Sequence, residues 1–134
     1  MSTNETMKYF DLHTQGLGYL NRIREVTPKE GTPFLSVTIA ALRGGVDNVQ
    51  YTHFECRVSG KQAQELVRKL KPAVEDSAKV LIGFTLSDLY AEAFTFKNGD
   101  KAGETGISLK ARLLRVAWAK VDGEPFYSAQ DNAA

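Results

Sequence analysis

The sequence predicts an all-β protein, a β-barrel carrying one helix, and three observations predict it. Apolar residues alternate with a period of two in five separate segments. One segment alone has helical spacing, and turn-forming glycine, proline and asparagine punctuate the rest. The chain has 134 residues, 43% hydrophobic and 25% charged, which suits one core rather than two and is too apolar for disorder.

The elements follow in order. Residues 1–12 show no sustained period and are expected to form a flexible arm, with Tyr9 and Phe10 at its end. Gly16 to Val26 reads as a strand with Leu17, Tyr19 and Ile23 on one parity and Leu20, Arg22 and Arg24 on the other. The turn chemistry of Thr27 to Pro33 leads into the clearest strand. There Leu35, Val37, Ile39 and Ala41 alternate with Phe34, Ser36, Thr38 and Ala40. After the Gly-rich Arg43 to Asn48 a third strand places Thr52, Phe54, Cys56 and Val58 opposite Tyr51, His53, Glu55 and Arg57.

From Ser59 the period turns helical, with Ala63, Leu66, Val67 and Leu70 on one stripe, Ser59 or Gly60 as the cap and Pro72 as the expected stop. Lys79 to Leu86 is a fourth strand, in which Gly83 allows a bend or close backbone approach. A long, partly flexible hairpin follows, its turn expected at Asn98-Gly99. The last strand, from Ile107, slips phase at Leu113-Leu114 as strands do at a bulge; a helical stripe through Leu109, Leu113, Val116 and Lys120 competes with that reading. Residues 122–134 are expected to be a flexible tail, leaving 13–121 as the folded domain. Three strands, a helix, then two strands joined by a long hairpin is the order of the five-stranded OB-fold.

Composition narrows function. Seventeen basic against 16 acidic residues give a net charge of +1, so no bulk charge draws nucleic acid, yet Lys97 to Lys120 holds six basic residues and two acidic ones. One cysteine and two distant histidines exclude disulfide and zinc scaffolds, and no cofactor is expected. With no signal-peptide core in the first residues and no long apolar run, a cytoplasmic protein away from membranes is expected. No phosphate-binding glycine motif and no nucleophile with its base can be assembled, so the expectation is a non-enzyme.

Three stretches resemble the core of bacterial single-stranded DNA-binding proteins: Gly31 to Gly44; Thr52 to Leu70, with Gly60, Lys61 and Ala63 at that family's turn; and Lys79 to Leu114. The whole chain also resembles a family of small replication-associated proteins carried by integrative and conjugative elements, through its Tyr9 to Arg22 opening and its Gly103 to Leu114 stretch. His53 stands where the DNA-binding family has a stacking tryptophan, and SAQDNAA lacks that family's acidic, aromatic tip. The resemblance implies an OB-fold, single-stranded DNA as ligand, a dimer or tetramer, and replication or conjugation proteins as partners.

Binding single strands needs aromatic faces for bases and cations for phosphates. The expected binding residues are Arg22, Arg24, Phe34, Tyr51, His53, Arg57, Lys110 and Arg112 on outward strand faces, with Tyr90, Phe94, Phe96, Lys97 and Lys101 from the hairpin. The competing reading keeps the barrel but makes it a protein-interaction or assembly module in which Phe34, Tyr51 and Trp118 lie between subunits, motivated by the +1 charge and by Glu55 on the same face.

Overall fold

A computed structural model describes residues 10–129. Its elements are β1 (His13–Val26), β2 (Phe34–Arg43), β3 (Gln50–Val58), α1 (Lys61–Glu75), β4 (Val80–Thr95), β5 (Thr105–Val121) and β6 (Glu124–Ser128). The hydrogen-bonded order is β3-β2-β1-β4-β5-β6, and a further β3–β5 pairing closes five strands into a ring. Every pairing is antiparallel except that seam, where Phe54 to Val58 run parallel to Leu109 to Leu113. The protein is therefore an all-β barrel with one helix, as expected. Most of the expected N-terminal arm lies outside the described residues. Within them, the Asp88 N–H already donates to the Leu12 carbonyl.

The inside of the ring is filled by the alternating residues of β2, β3 and β4: Leu35, Val37 and Ile39; Phe54, Cys56 and Val58; Val80, Ile82, Phe84 and Leu86. α1 lays Ala63, Leu66, Val67 and Leu70 on this core, as its spacing predicts. The helix continues through Pro72 to Glu75 instead of stopping there, and Gly60 caps it with no side-chain hydrogen bond. One proline removes a single backbone donor, which a helix already anchored by four buried residues tolerates.

Bulges account for the departures from simple alternation. In β1, Asn21 pairs with Thr38 and Arg24 with Ser36, so one extra residue sits between them, and Arg22 adopts φ 47°. That insertion reverses parity. Leu20 and Ile23 are both buried, whereas Leu17 and Tyr19, read with Ile23 from the sequence, are not. In β5 the register skips Leu114 and again Ala117, so the buried residues Leu113, Val116 and Ala119 fall three apart. Those two bulges produce the helix-like stripe that competed with the strand reading.

The expected flexible tail is corrected over part of its length. Asp122 and Gly123, both with positive φ, turn the chain back, and Glu124–Ser128 pairs with the end of β5. Between its β3 and β6 partners, β5 would leave the Val116 backbone unpaired on that edge. Gln62 of α1 fills the gap: its amide nitrogen donates to the Val116 carbonyl (3.1 Å) and the Tyr127 hydroxyl (2.9 Å), and its oxygen accepts from the Val116 N–H (3.5 Å). A buried backbone group left without a partner costs about 1–3 kcal/mol. Gln62→Leu is expected to lower unfolding stability by that amount and to accelerate hydrogen exchange at Val116, with the Ile39 amide in mid-sheet as the control.

Candidate nucleic-acid interface

Two bulges build the outward face. Without the extra residue in β1, Arg24 would share the inward parity of Leu20. A second bulge in β4, where Ser87 pairs with Arg112 and Tyr90 with Lys110, turns Tyr90 away from the parity of Leu86; Asp88 in this bulge has φ 58°. Cross-strand register then sets Arg24 beside Ser36, Ser36 beside Arg57 and Arg57 beside Arg112, all pointing out of the barrel.

These residues line a groove of about 580 Å³ that includes Arg24, Phe34, Arg57, Tyr90, Lys110 and Arg112. The guanidinium of Arg57 stacks 4.2 Å from the centre of the Phe34 ring, a cation–π contact. The other cations have carboxylate partners: Arg24 with Glu55 at 3.4 Å, Lys110 with Glu92 at 3.5 Å and Arg112 with Asp88 at 3.5 Å. Glu55 also accepts 2.8 Å from the Thr38 hydroxyl, which holds it mid-face. Such partly exposed pairs are worth about 0–1 kcal/mol each, so a phosphate can displace them at little cost.

Tyr51 and His53 lie further along β3 in a second hollow of about 390 Å³, floored by Ala40 and walled by Tyr19, Asn21 and Lys79. The Tyr19 and Tyr51 rings tilt at 48° with centroids 6.4 Å apart. Tyr19, Asn21 and Lys79 are not among the expected site residues: parity groups Tyr19 with Ile23, and the bulge between them buries Ile23 while Tyr19 stays on the outward side. The six steps from Tyr51 to Arg57 span about 20 Å at ~3.3 Å per residue, so the two hollows lie along one face of the strand.

Beyond Tyr90 the β4–β5 hairpin leaves the barrel as a two-stranded ribbon. On its outward face Phe94 and Phe96 cover Gly106, where a Cβ would meet the Phe94 ring at 2.6 Å, and they contact each other edge to face at 4.8 Å. Lys101 lies 5.6 Å from the Phe96 ring and Lys97 is exposed in the connecting loop. The turn is longer than the two residues expected at Asn98-Gly99: the Gly103 N–H donates to the Phe96 carbonyl and the Phe96 N–H to Glu104. Tyr51, Tyr90 and Phe94 remain 47%, 55% and 41% exposed, and these rings have surface to offer a base.

Some expected site residues are not brought in. Arg22 sits in a separate hollow with Val74, Ser77 and Lys79 near the end of α1, away from Arg24. Phe34 does line the groove, but half-buried under Arg57 rather than open. Trp118 packs over Gly83 on the opposite sheet region, where a Cβ would lie 2.4 Å from the indole nitrogen, and is thereby the reason that position is glycine. Cys56 is buried, and burial, with Glu55 beside it, pushes its thiol from the ordinary 9.0 up to about 12. The unfolded chain loses this proton near pH 9 while the folded protein keeps it, so stability is full below pH 9 and falls as pH rises toward 12. Native protein at pH 8 is expected to react with a thiol-selective reagent at least tenfold more slowly than urea-unfolded protein.

Among the described residues no group of three or more His, Cys, Asp or Glu side chains could hold a metal ion, and no helix is long and apolar enough to cross a membrane. The family model described as Protein of unknown function (DUF3577) matches residues 3–134, so the chain belongs to that family. No curated protein matches the chain. No solved structure matches it either.

Proposed function

We propose that this member of the DUF3577 family is a non-enzymatic OB-fold protein that binds single-stranded DNA, acting as a dimer or tetramer in the cytoplasm during replication or transfer of a mobile genetic element. One observation carries the reading: exposed aromatic rings and basic side chains share one outward track from Tyr51 through the Phe34–Arg57 stack to Tyr90, Lys110 and the ribbon. The ring order, with α1 between β3 and β4, supports the OB assignment.

In this reading Tyr51, Tyr90 and Phe94 stack bases while Arg24, Arg57, Lys110 and Arg112 follow the phosphates. Stacking contributes about 1–3 kcal/mol per base and tolerates any sequence. Phosphates exchange with Glu55, Glu92 and Asp88 as partners of the cations, which makes binding weak at high salt and dependent on several contacts at once.

A labelled 30-nucleotide dT strand titrated at low and moderate salt, beside a duplex of equal length, tests the proposal by fluorescence anisotropy. The expected result is salt-sensitive single-strand binding at least tenfold tighter than duplex binding. A folded protein that ignores the strand even at low salt would sink it. The carboxylate partners of the face favour, as second reading, an assembly module whose exposed rings meet another protein, and that outcome would select it.

A further inference from the structure

We propose that the cavity enclosed by the start of β2, the end of β3 and α1 is a binding site for a phosphate group, with Arg68 as the contact on its helix wall. The cavity has about 640 Å³ and is lined by Phe34, Arg57, Ser59, Gln64, Arg68 and Arg112 among others, with no carboxylate in the lining. Three arginine side chains therefore line one hollow. The inference rests on the single-strand reading only for the source of the phosphate.

Two further features point the same way. Arg57 and Arg112 are direct partners on the parallel seam, so two like charges stand on adjacent strands about 4.8 Å apart. Like charges placed opposite one another destabilise a sheet, and an anion between them removes the conflict. The surrounding groups are donors already fixed in place: Arg112 donates 2.7 Å to the Ser59 hydroxyl, and Arg57 is held flat on Phe34. Arginine suits a phosphate through its planar fork of N–H groups. The carboxylates that reach these arginines lie outside the lining, Glu25 on Arg68 at 3.3 Å and Asp88 on Arg112 at 3.5 Å, in pairs that are each about half exposed.

Phosphate on a nucleic acid is either an internal diester, where the strand leaves the β3 track toward α1, or a terminal monoester. Pyrophosphate is the first probe, by titration calorimetry on wild type, Arg68→Gln and Glu25→Gln. Arg68→Gln is expected to weaken pyrophosphate at least tenfold, whereas Glu25→Gln, which frees Arg68, is expected to tighten it two- to fivefold at low salt. The 30-nucleotide dT strand, with and without a 5′-phosphate, then identifies the source. An internal contact lowers the salt slope by about 0.7 in Arg68→Gln for both strands, and a terminal contact affects the phosphorylated strand alone.

Equal weakening by Arg68→Gln and Glu25→Gln would mark the pair as structural and overturn the proposal. So would unchanged affinity of Arg68→Gln for pyrophosphate and both strands. Pyrophosphate bound through Arg68 by a protein that ignores dT leaves the phosphate site standing and removes the single-strand reading. The reverse pattern, dT bound alike by wild type and Arg68→Gln with no pyrophosphate bound, overturns the phosphate site alone.

Discussion

Replacing Tyr51 and Lys110 together by alanine is expected to weaken binding to single-stranded dT by about 100-fold, the combined loss of one stacking platform and one phosphate contact. Neither residue supports the core: Tyr51 is 47% exposed, and Lys110 makes only a partly exposed pair with Glu92. Melting temperature should therefore stay within a few degrees of wild type, and the salt slope should fall by about 0.7. The two residues sit on opposite arms of the track, one on β3 and one on β5, so a large loss places the strand across the β3–β5 seam. Unchanged affinity in a folded variant would move the aromatic rings to the assembly reading.

The largest expected effect on stability comes from Gly18→Ala. A Cβ at Gly18 would lie 2.5 Å from the Ala40 carbonyl oxygen and 2.7 Å from the Ala41 Cα, both backbone atoms of the paired strand. A flexible side chain could swing aside, but a sheet backbone cannot without breaking the β1–β2 register. Overpacking costs about 1–3 kcal/mol, and a clash with backbone atoms puts this variant at the upper end. Urea unfolding should show that loss, while Gly45→Ala, at a position with nothing within 4 Å of a Cβ and no positive φ, should remain close to wild type. Equal behaviour of the two variants would mean that β1 and β2 separate more freely than their ladder implies.

The contrast between strands shows which features of the fold can be read from the residues. β3 alternates without interruption, so Tyr51, His53 and Arg57 fall on the outward side and Phe54, Cys56 and Val58 on the inward side, as parity predicts. β1, β4 and β5 are bulged; the bulge at Leu114 shows in the sequence as the phase slip at Leu113-Leu114, whereas those in β1 and after Ser87 in β4 leave no such break in the apolar pattern. Hence parity groups Tyr19 with Ile23 and Leu20 with Arg22 and Arg24, although Leu20 and Ile23 are the buried pair, and the two hollows could not be outlined from the chain alone. β2 failed differently. Its outward Ser36 and Thr38 are buried because the longer Arg24, Glu55 and Arg57 side chains reach over them from both neighbours, and only the pairing partners reveal that.

Turns divide in the same way. Asp122-Gly123 carries the dipeptide signal of a two-residue hairpin and makes one, although the acidic, uneven segment after it suggested a frayed tail. Asn98-Gly99 carries the same signal but lies inside a loop closed from Phe96 to Glu104, where the packing of Phe94 and Phe96 over Gly106 fixes the last paired residues. Tertiary contacts set the turn there. Arg68 was legible only as a charged helix end, because its neighbours in the cavity come from β2, β3 and β5.

The parallel seam also governs how the chain reaches this state. Antiparallel neighbours such as β1 and β2 or β4 and β5 meet across short connections, but β3 finds β5 only after α1 and β4 have intervened, with Phe54 and Leu109 about 55 positions apart. Closing so long a segment before any contact rewards it is slow, and chains dominated by such pairings refold in milliseconds to seconds. The β1–β4 ladder, which joins His13 to Ser87, spans a longer segment still, and a species in which the seam alone has not closed is an open sheet with two bare edges. The unpaired strand edges of such an open species are where it would pair with another copy of itself, which the closed seam prevents.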